Sequence, residues 1–267
     1  MNDLALADHT VNSGGHPAAV ALKVTGLTKD FGTKRVLHGV DLDVEMNEAV
    51  SLIGANGSGK STLLRCLIRL IEPTSGNIHL YEEDVLSLRA GALAKLRSRV
   101  GFVFQRHNLV PRLSALSNVV HGAQARSSGP RTWFQALATG DVREEAFSCL
   151  EAVGLGPQAL QRIDCLSGGQ SQRVAIARML MQRPDIILAD EPDASLDPRT
   201  GREVMELLNE LTRTRGIPIV IVSHRMEHAR LYSDRIVGLA GGRIVLDTSA
   251  RDSDPEALTS FFEDTQQ

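Results

Sequence analysis

One short stretch constrains this chain more than any other. Residues Gly54-Ala55-Asn56-Gly57-Ser58-Gly59-Lys60-Ser61 join a compact apolar run at 49–53 to a helix-compatible run at 61–68. A buried strand, a glycine-rich turn and a helix that opens on a lysine make a strand-loop-helix unit. The glycines let successive backbone N–H groups converge, and the following helix turns its positive end toward the same point, so the loop is built to hold phosphate. Lys60 is placed to reach the β and γ phosphates of a nucleotide, Ser61 offers a hydroxyl to Mg²⁺, and Thr62 is its helical neighbour.

A second anion loop follows much later. Leu166-Ser167-Gly168-Gly169-Gln170 precedes a helical run whose apolar positions fall at 174, 176, 177 and 180. A small hydroxyl and two glycines at the start of a helix favour anions for the same reasons. One nucleotide needs one such loop. The pair therefore implies that each loop serves a different nucleotide, in a dimer that closes around ATP. Further on, Asp190 ends the apolar strand 186–189, where a carboxylate reaches Mg²⁺ through its water shell, and Glu191 follows directly. Adjacent residues on a strand face opposite ways, which assigns Asp190 to the metal and Glu191 to the attacking water.

The remaining pattern is that of an α/β domain. Residues 20–50 carry short alternating or branched runs split by turn residues, which predicts an antiparallel β lobe. Strand 185–189, helix 199–213, strand 217–222 and helix 226–232 then alternate, as in a parallel sheet faced by helices. Between 114 and 161 the strand signal lapses, and helix-favouring runs predict an inserted helical subdomain at 114–165, its run 142–153 capped by Asp141 and Glu144. A polar linker at 248–253 leads to a short capped helix at 254–262. The chain thus divides into a flexible tail at 1–19, a domain at 20–247 and a C-terminal segment at 248–267.

At 267 residues and 42% hydrophobic content the chain can bury one large core, and disorder is excluded. A net charge of −3 offers nucleic acid or an acidic membrane surface no general attraction, so anions are left to the shaped loops. Residues 1–20 lack a basic stretch followed by a long apolar run and do not read as a secretory signal. The longest apolar stretches, 217–222 and 186–189, fall far short of the ~20 residues a membrane helix needs, so a membrane role must come through a partner. Cys66, Cys149 and Cys165 lack C-x-x-C spacing, which argues against a disulfide framework or a zinc site and fits a reducing cytosol.

The pentapeptide at 166–170, followed by Gln-Arg-Val-Ala-Ile-Ala-Arg at 172–178, resembles the signature motif of the ABC ATPase family. The resemblance extends from about residue 20 to 247 and implies a P-loop NTPase (RecA-like) core with a parallel sheet, an antiparallel β lobe and an inserted helical subdomain. It also lets other residues be placed. Phe31, followed by Gly32, fits the aromatic that stacks on adenine; Gln105 fits the loop glutamine that contacts Mg²⁺ and the attacking water while its loop touches a membrane subunit. Asp197 fits the loop that crosses the dimer interface, and His224 the switch histidine that contacts the γ-phosphate. The catalytic set implied is Glu191, His224 and Gln105, and the metal set Ser61, Gln105 and Asp190. Nucleotide falls to Phe31, Gly54, Ala55, Asn56, Gly57, Ser58, Gly59, Lys60, Ser61, Thr62, Ser167, Gly168, Gly169, Gln170 and Asp197.

Members of that family dock head to tail, with ATP between Lys60 of one copy and Ser167 of the other. They sit at the cytoplasmic face of the inner membrane on integral permease subunits, which a solute-binding protein serves in turn. Segments 104–114, 161–165, 188–198 and 234–239 are similar to the ATPase subunits of phosphonate importers. Asp193, Ser171 and the run Arg225-Met226-Glu227-His228 depart from that group. The ATPase does not touch the solute, so phosphonate is implied by kinship alone, with phosphite, a phosphate ester or an export substrate as alternatives. A soluble ABC ATPase acting on nucleic acid or ribosomes usually joins two ATPase halves or carries long insertions, and neither is present here. A non-catalytic clasp would not need Lys60, Glu191 and His224 together.

Overall fold

The computed structural model describes residues 19–105, 107–126 and 138–254, with Leu258 and Phe261. The flexible tail expected at 1–19 lies outside them except for Ala19, whose carbonyl accepts from Met46 N–H. Among the described residues no helix is long and apolar enough to cross a membrane.

The short runs of the first fifty residues merge into two long strands, β1 (Val20–Phe31) and β2 (Lys34–Glu45), paired as an antiparallel hairpin. With β4 (Ser75–Leu80) and β5 (Glu83–Asp84) they form a four-stranded antiparallel sheet in the order β2-β1-β4-β5. One face of this lobe, including Leu22, Val24, Leu37, Val40 and Leu42, packs against the second sheet and the helix α1 (Lys60–Leu67).

The second sheet is the platform of the site. Its β3 (Ala49–Ile53), β6 (Val100–Val103), β7 (Ile186–Asp190), β8 (Ile219–Val222) and β9 (Arg235–Ala240) run parallel in the order β9-β3-β8-β7-β6. Every residue of β3, β7 and β8 is buried, as strands covered on both faces require. Truncating Leu52 or Ile187 to Ala at that depth costs about 2–5 kcal/mol. The sheet is not purely parallel: β10 (Arg243–Ser249) closes it as an antiparallel edge. Thr248 and Ser249 therefore belong to a strand rather than to the expected linker, because they pair with Ile236 and Arg235 while Arg235 holds Asp247 at 2.6 Å. Of the helix expected at 254–262, Asp254, Leu258 and Phe261 are described: Leu258 N–H donates to the Asp254 carbonyl at 3.0 Å, and Leu258 and Phe261 pack with Ile53 and Ile236.

Helix α6 (Pro198–Arg215) buries Val204, Met205, Leu208 and Thr212 on one stripe and stops at Gly216 with φ 62°. Its neighbours are α5 (Gly168–Met181) and α7 (Met226–Tyr232). The segment expected to be helical holds α3 (Ala115–Val120), which runs into a 3-10 turn at His121–Ala125, and α4 (Gly140–Ala152), followed by 3-10 turns at Gly156–Gln158 and Ile163–Cys165; a bridge from Ser114 to Arg162 ties its two ends. The expected cap of α4 is corrected: the helix starts at Gly140 with Thr139 as its N-cap, so Asp141 sits in the first turn, where its charge meets the positive helix end. A nine-residue helix, α2 (Ala90–Ser98), precedes β6.

Candidate active site

The sheet registers bring the sequence-predicted residues to one edge. Leu52 pairs with Val222, and Val222 with Asp190, while Val103 pairs with Ala189. The chain leaving β3 is the glycine loop, that leaving β7 carries Glu191, that leaving β8 carries His224, and that leaving β6 carries Gln105. Ligands in α/β sheets bind in this crevice, beyond the carboxyl ends of the strands.

The loop has the conformation its sequence demands. Gly54 takes φ 148°, and a Cβ there would stand 2.2 Å from the Leu239 carbonyl oxygen. Gly57 and Gly59 also take positive φ, and Gly59 is the N-cap of α1. Lys60 is buried and folds back along the loop, its Nζ donating to the carbonyls of Gly54 and Ala55, each at 2.9 Å. Burial pushes its ammonium below the usual lysine pKa, against the opposing pull of Glu191 and Asp190. Ser58 Oγ is buried without a hydrogen-bond partner, a polar atom in the loop wall still to be satisfied.

Opposite the loop stands Asp190, the last residue of β7 and almost wholly buried. Ser61 Oγ donates to Asp190 Oδ1 at 2.7 Å, and Arg65 Nη2 approaches Oδ2 at 3.4 Å. Burial raises the Asp190 pKa, opposed by the Ser61 hydrogen bond and the Arg65 charge. Arg65 was missed by sequence reasoning; the available signal was its place one turn after Ser61, which puts both on the same face of α1. Hydroxyl and carboxylate oxygen are the donors that hard divalent cations take.

Glu191 separates from Asp190 for a different reason than strand alternation. It has already left β7 and takes φ 52°, a left-handed conformation that costs a non-glycine residue about 1–3 kcal/mol. That turn brings its carboxylate onto His224 Nε2 and to the rim of the lysine loop. Val36, Asn56, Gly57, Gly59, Lys60, Ser61, Thr62 and Glu191 line a cleft of about 140 Å³.

The other sequence-predicted residues lie outside that cleft. Ser167 opens α5 with a reciprocal cap: its Oγ accepts from Gln170 N–H at 3.2 Å and its N–H donates to Gln170 Oε1 at 2.9 Å. Asp197 caps α6, accepting from Arg199 and Thr200 N–H at 3.2 and 3.1 Å. The two helix starts touch: a Cβ on Gly169 would fall 2.1 Å from Thr200 Cγ2. Ser167, Gly168 and Asp197 are exposed, as is Phe31, whose ring lies 4.8 Å under Lys29 Nζ. Gln105 is exposed just past β6, apart from Ser61 and Asp190 in hydrogen bonding. The backbone beyond it is held from α5, where Arg178 donates to the carbonyls of His107 and Asn108 at 3.0 and 2.7 Å. Buried Asn118 ties down Val110 from both its N–H and its carbonyl. Neither Arg178 nor Asn118 was anticipated in this role.

Larger cavities, of about 490 and 470 Å³, contain none of the predicted residues; the first lies at the opposite edge of the sheet, between Asp185 before β7 and Ile217 before β8. The chemistry belongs with the smaller cleft, where lysine, hydroxyl and two carboxylates meet. Residues 37–194 match the family described as ABC transporter. The chain belongs to that family.

Individual ABC relatives agree along nearly the whole length. The phosphonates import ATP-binding protein PhnC of Bordetella parapertussis is 45% identical over 249 residues, 91% of this chain and 97% of that protein. Its namesake from Frankia casuarinae is 47% identical over 242 residues, covering 91% and 95%. Among solved structures, the dimeric post-hydrolysis state of the ATP-binding cassette MJ0796, bound to ADP and Pi, superposes with TM-score 0.76 at 36% identity, over 87% of this chain and 100% of that one. The ADP conformation of the cassette MJ1267 gives TM-score 0.78 at 26% identity, over 90% and 97%. As an ABC cassette this chain binds and hydrolyses ATP.

Proposed function

We propose that this chain is the ATP-hydrolysing subunit of an ABC importer for phosphonate, working as a head-to-tail dimer. The observation that carries the reading is the convergence of the glycine loop, Asp190, Glu191 and His224 at one sheet edge, in a chain 45% identical to a phosphonates import ATP-binding protein. A cleft of about 140 Å³ is small beside the ~300–1,000 Å³ of ordinary ligand pockets, which supports a nucleotide site that a second surface completes. The exposed starts of α5 and α6, with Ser167 to Gln170 and Asp197, are that surface on the second copy.

In this reading Lys60 leaves the Gly54 and Ala55 carbonyls for the phosphates, and loop N–H groups share the load. Ser61 and Asp190, with Gln105 from the neighbouring loop, are the residues that would hold Mg²⁺. Bound there, Mg²⁺ would offset the negative charge that develops in phosphoryl transfer. Glu191 orients and polarises water, and His224, already against it, faces the γ-phosphate. Phe31 stacks on the adenine. The γ-phosphate joins two donor-rich surfaces, so its hydrolysis removes what holds them together.

The subunit sits peripherally at the cytoplasmic face of the inner membrane, with the loop from Gln105 to Ser114 against a permease that a solute-binding protein supplies. Copurification with a membrane permease, and ATPase stimulation in vesicles by a phosphonate-loaded binding protein, are the expected results. Stimulation by DNA or ribosomes instead would sink the importer reading.

A further inference from the structure

Two of the places where the sequence departs from the phosphonate-importer group meet in the fold. Asp193 lies in the loop after β7, two residues past Glu191, and His228 lies on α7, four residues past His224. Both are buried, at 4% and 3% exposure. Asp193 Oδ2 and His228 Nδ1 stand 2.9 Å apart in the geometry of an ion pair rather than of a hydrogen bond, and both atoms are buried without a hydrogen-bond partner. Arg225, the residue after His224, brings its Nε to 3.7 Å from the same carboxylate oxygen.

The surroundings fix both ends of the pair. Gly201 of α6 leaves room for Asp193, since a Cβ there would meet Asp193 Cβ at 3.3 Å and Arg225 Nη1 at 3.7 Å. His228 meets Tyr232 edge-on at 5.6 Å between ring centroids. Ser223 Oγ accepts from Arg225 N–H at 3.1 Å, so the turn that presents His224 is closed on itself. Asp193 and His228 thus link the loop carrying Glu191 to the helix that follows His224, one step removed from the contact between those two residues. Two buried polar groups whose nearest polar neighbours are each other and Arg225 favour a single arrangement, because displacement would leave each facing a poorly solvating interior.

We propose that Asp193 and His228, steadied by Arg225, are positioning residues that hold Glu191 and His224 in register for hydrolysis. The proposal rests on the reading of Glu191 and His224 as catalytic. Positioning errors act on turnover rather than on nucleotide affinity, and an ångström of misplacement is enough to lower rates by about 10- to 100-fold.

The test is steady-state ATPase kinetics on the full chain with its permease, alongside thermal melts. Asp193→Ala and His228→Ala should each lower kcat by about tenfold with KM for ATP unchanged. Combining them should cost no more than the worse single change, because each already breaks the same contact. Asp193→Asn, which keeps an acceptor for His228, should retain at least about half of the parental kcat. Asp193→Leu, which keeps volume without an acceptor, should melt near the parental temperature and lose turnover like Asp193→Ala. Singles within about twofold of parental kcat, multiplicative effects in the double variant, or KM rising in step would each overturn the proposal. So would failure of both Asp193→Ala and Asp193→Leu to fold, which would make the pair a structural requirement. Glu191→Gln in the same assay separates the two readings: if it keeps turnover, the catalytic assignment fails; if it is inactive while Asp193→Ala is parental, only the positioning proposal fails.

Discussion

The two glycine loops each open a helix but stand in opposite surroundings. Gly54 to Ser61 is enclosed: Lys60 is buried, Gly54 abuts the Leu239 carbonyl, and two carboxylates face the loop. Leu166 to Gln170 is open: Ser167 and Gly168 are exposed and no carboxylate bonds to them among the described residues, while the reciprocal cap occupies the N–H groups of Ser167 and Gln170 within the chain. In the proposed function the enclosed loop is organised for chemistry before anything binds and the open one for docking, since its conformation is set internally and its face is turned outward.

The largest effect should come from the enclosed side. Glu191→Gln is expected to lower ATP turnover by about 10²- to 10⁴-fold, the range for losing a positioned base, while ATP still binds. Size-exclusion chromatography with ATP should then show a trapped dimer. Parental turnover in this variant would remove the catalytic distinction between the loops. Lys60→Ala should abolish measurable nucleotide binding by the isolated chain, whereas Ser167→Arg should leave it intact and, combined with Glu191→Gln, prevent the ATP-driven dimer. If Ser167→Arg weakened binding to the monomer, the open loop would be part of a site within one chain.

How much of this was legible depends on the kind of signal. Strand β3 and helix α7 were read with the bounds they have, because an unbroken buried run and a short amphipathic turn each sat between clear breakers. Strand β6 was not read: it is four residues long and contains Gly101, which is there because Met179 Sδ would stand 2.7 Å from a Cβ. A glycine kept for packing looks in sequence like a turn. Asp190 and Glu191 were expected to face apart, and they do, but the alternation argument did not apply at Glu191, since nothing in the sequence announces a left-handed glutamate. Gln105 and His224 carried no motif of their own. Asp193 and His228 are 35 positions apart, and only the β7–β8 register makes them neighbours.

A smaller effect tests whether the starts of α5 and α6 move as a unit. Gly169→Val would drive a side chain into Thr200 Cγ2, with overpacking expected to cost about 1–3 kcal/mol. Denaturant melts should show that loss together with impaired dimer formation, whereas Lys60→Ala should melt near the parental midpoint. Equal stability in Gly169→Val would mean that the two helix starts separate freely, and the open surface would then be two pieces rather than one.

The smallest effect distinguishes the two demands on Asp197. Within one chain it is an N-cap, and the hydrogen bonds from Thr200 and Arg199 hold its carboxyl below the usual aspartate pKa. A depressed folded pKa adds stability above the unfolded value, near 3.8, and that stability is lost as pH falls through the lower folded value. Asn caps helices about as well as Asp but carries no charge to meet the helix end. Asp197→Asn should therefore lower Tm at pH 7 by about 2 °C or less, and the gap should close as the pH drops below the aspartate range. The proposed dimer makes a different demand, because there the exposed side of Asp197 would face the second copy. If the charge matters there, Asp197→Asn should weaken the ATP-trapped dimer of Glu191→Gln by more than its small loss of monomer stability allows. Equal dimer affinity would confine Asp197 to capping α6 and leave the docking surface to Ser167 through Gln170.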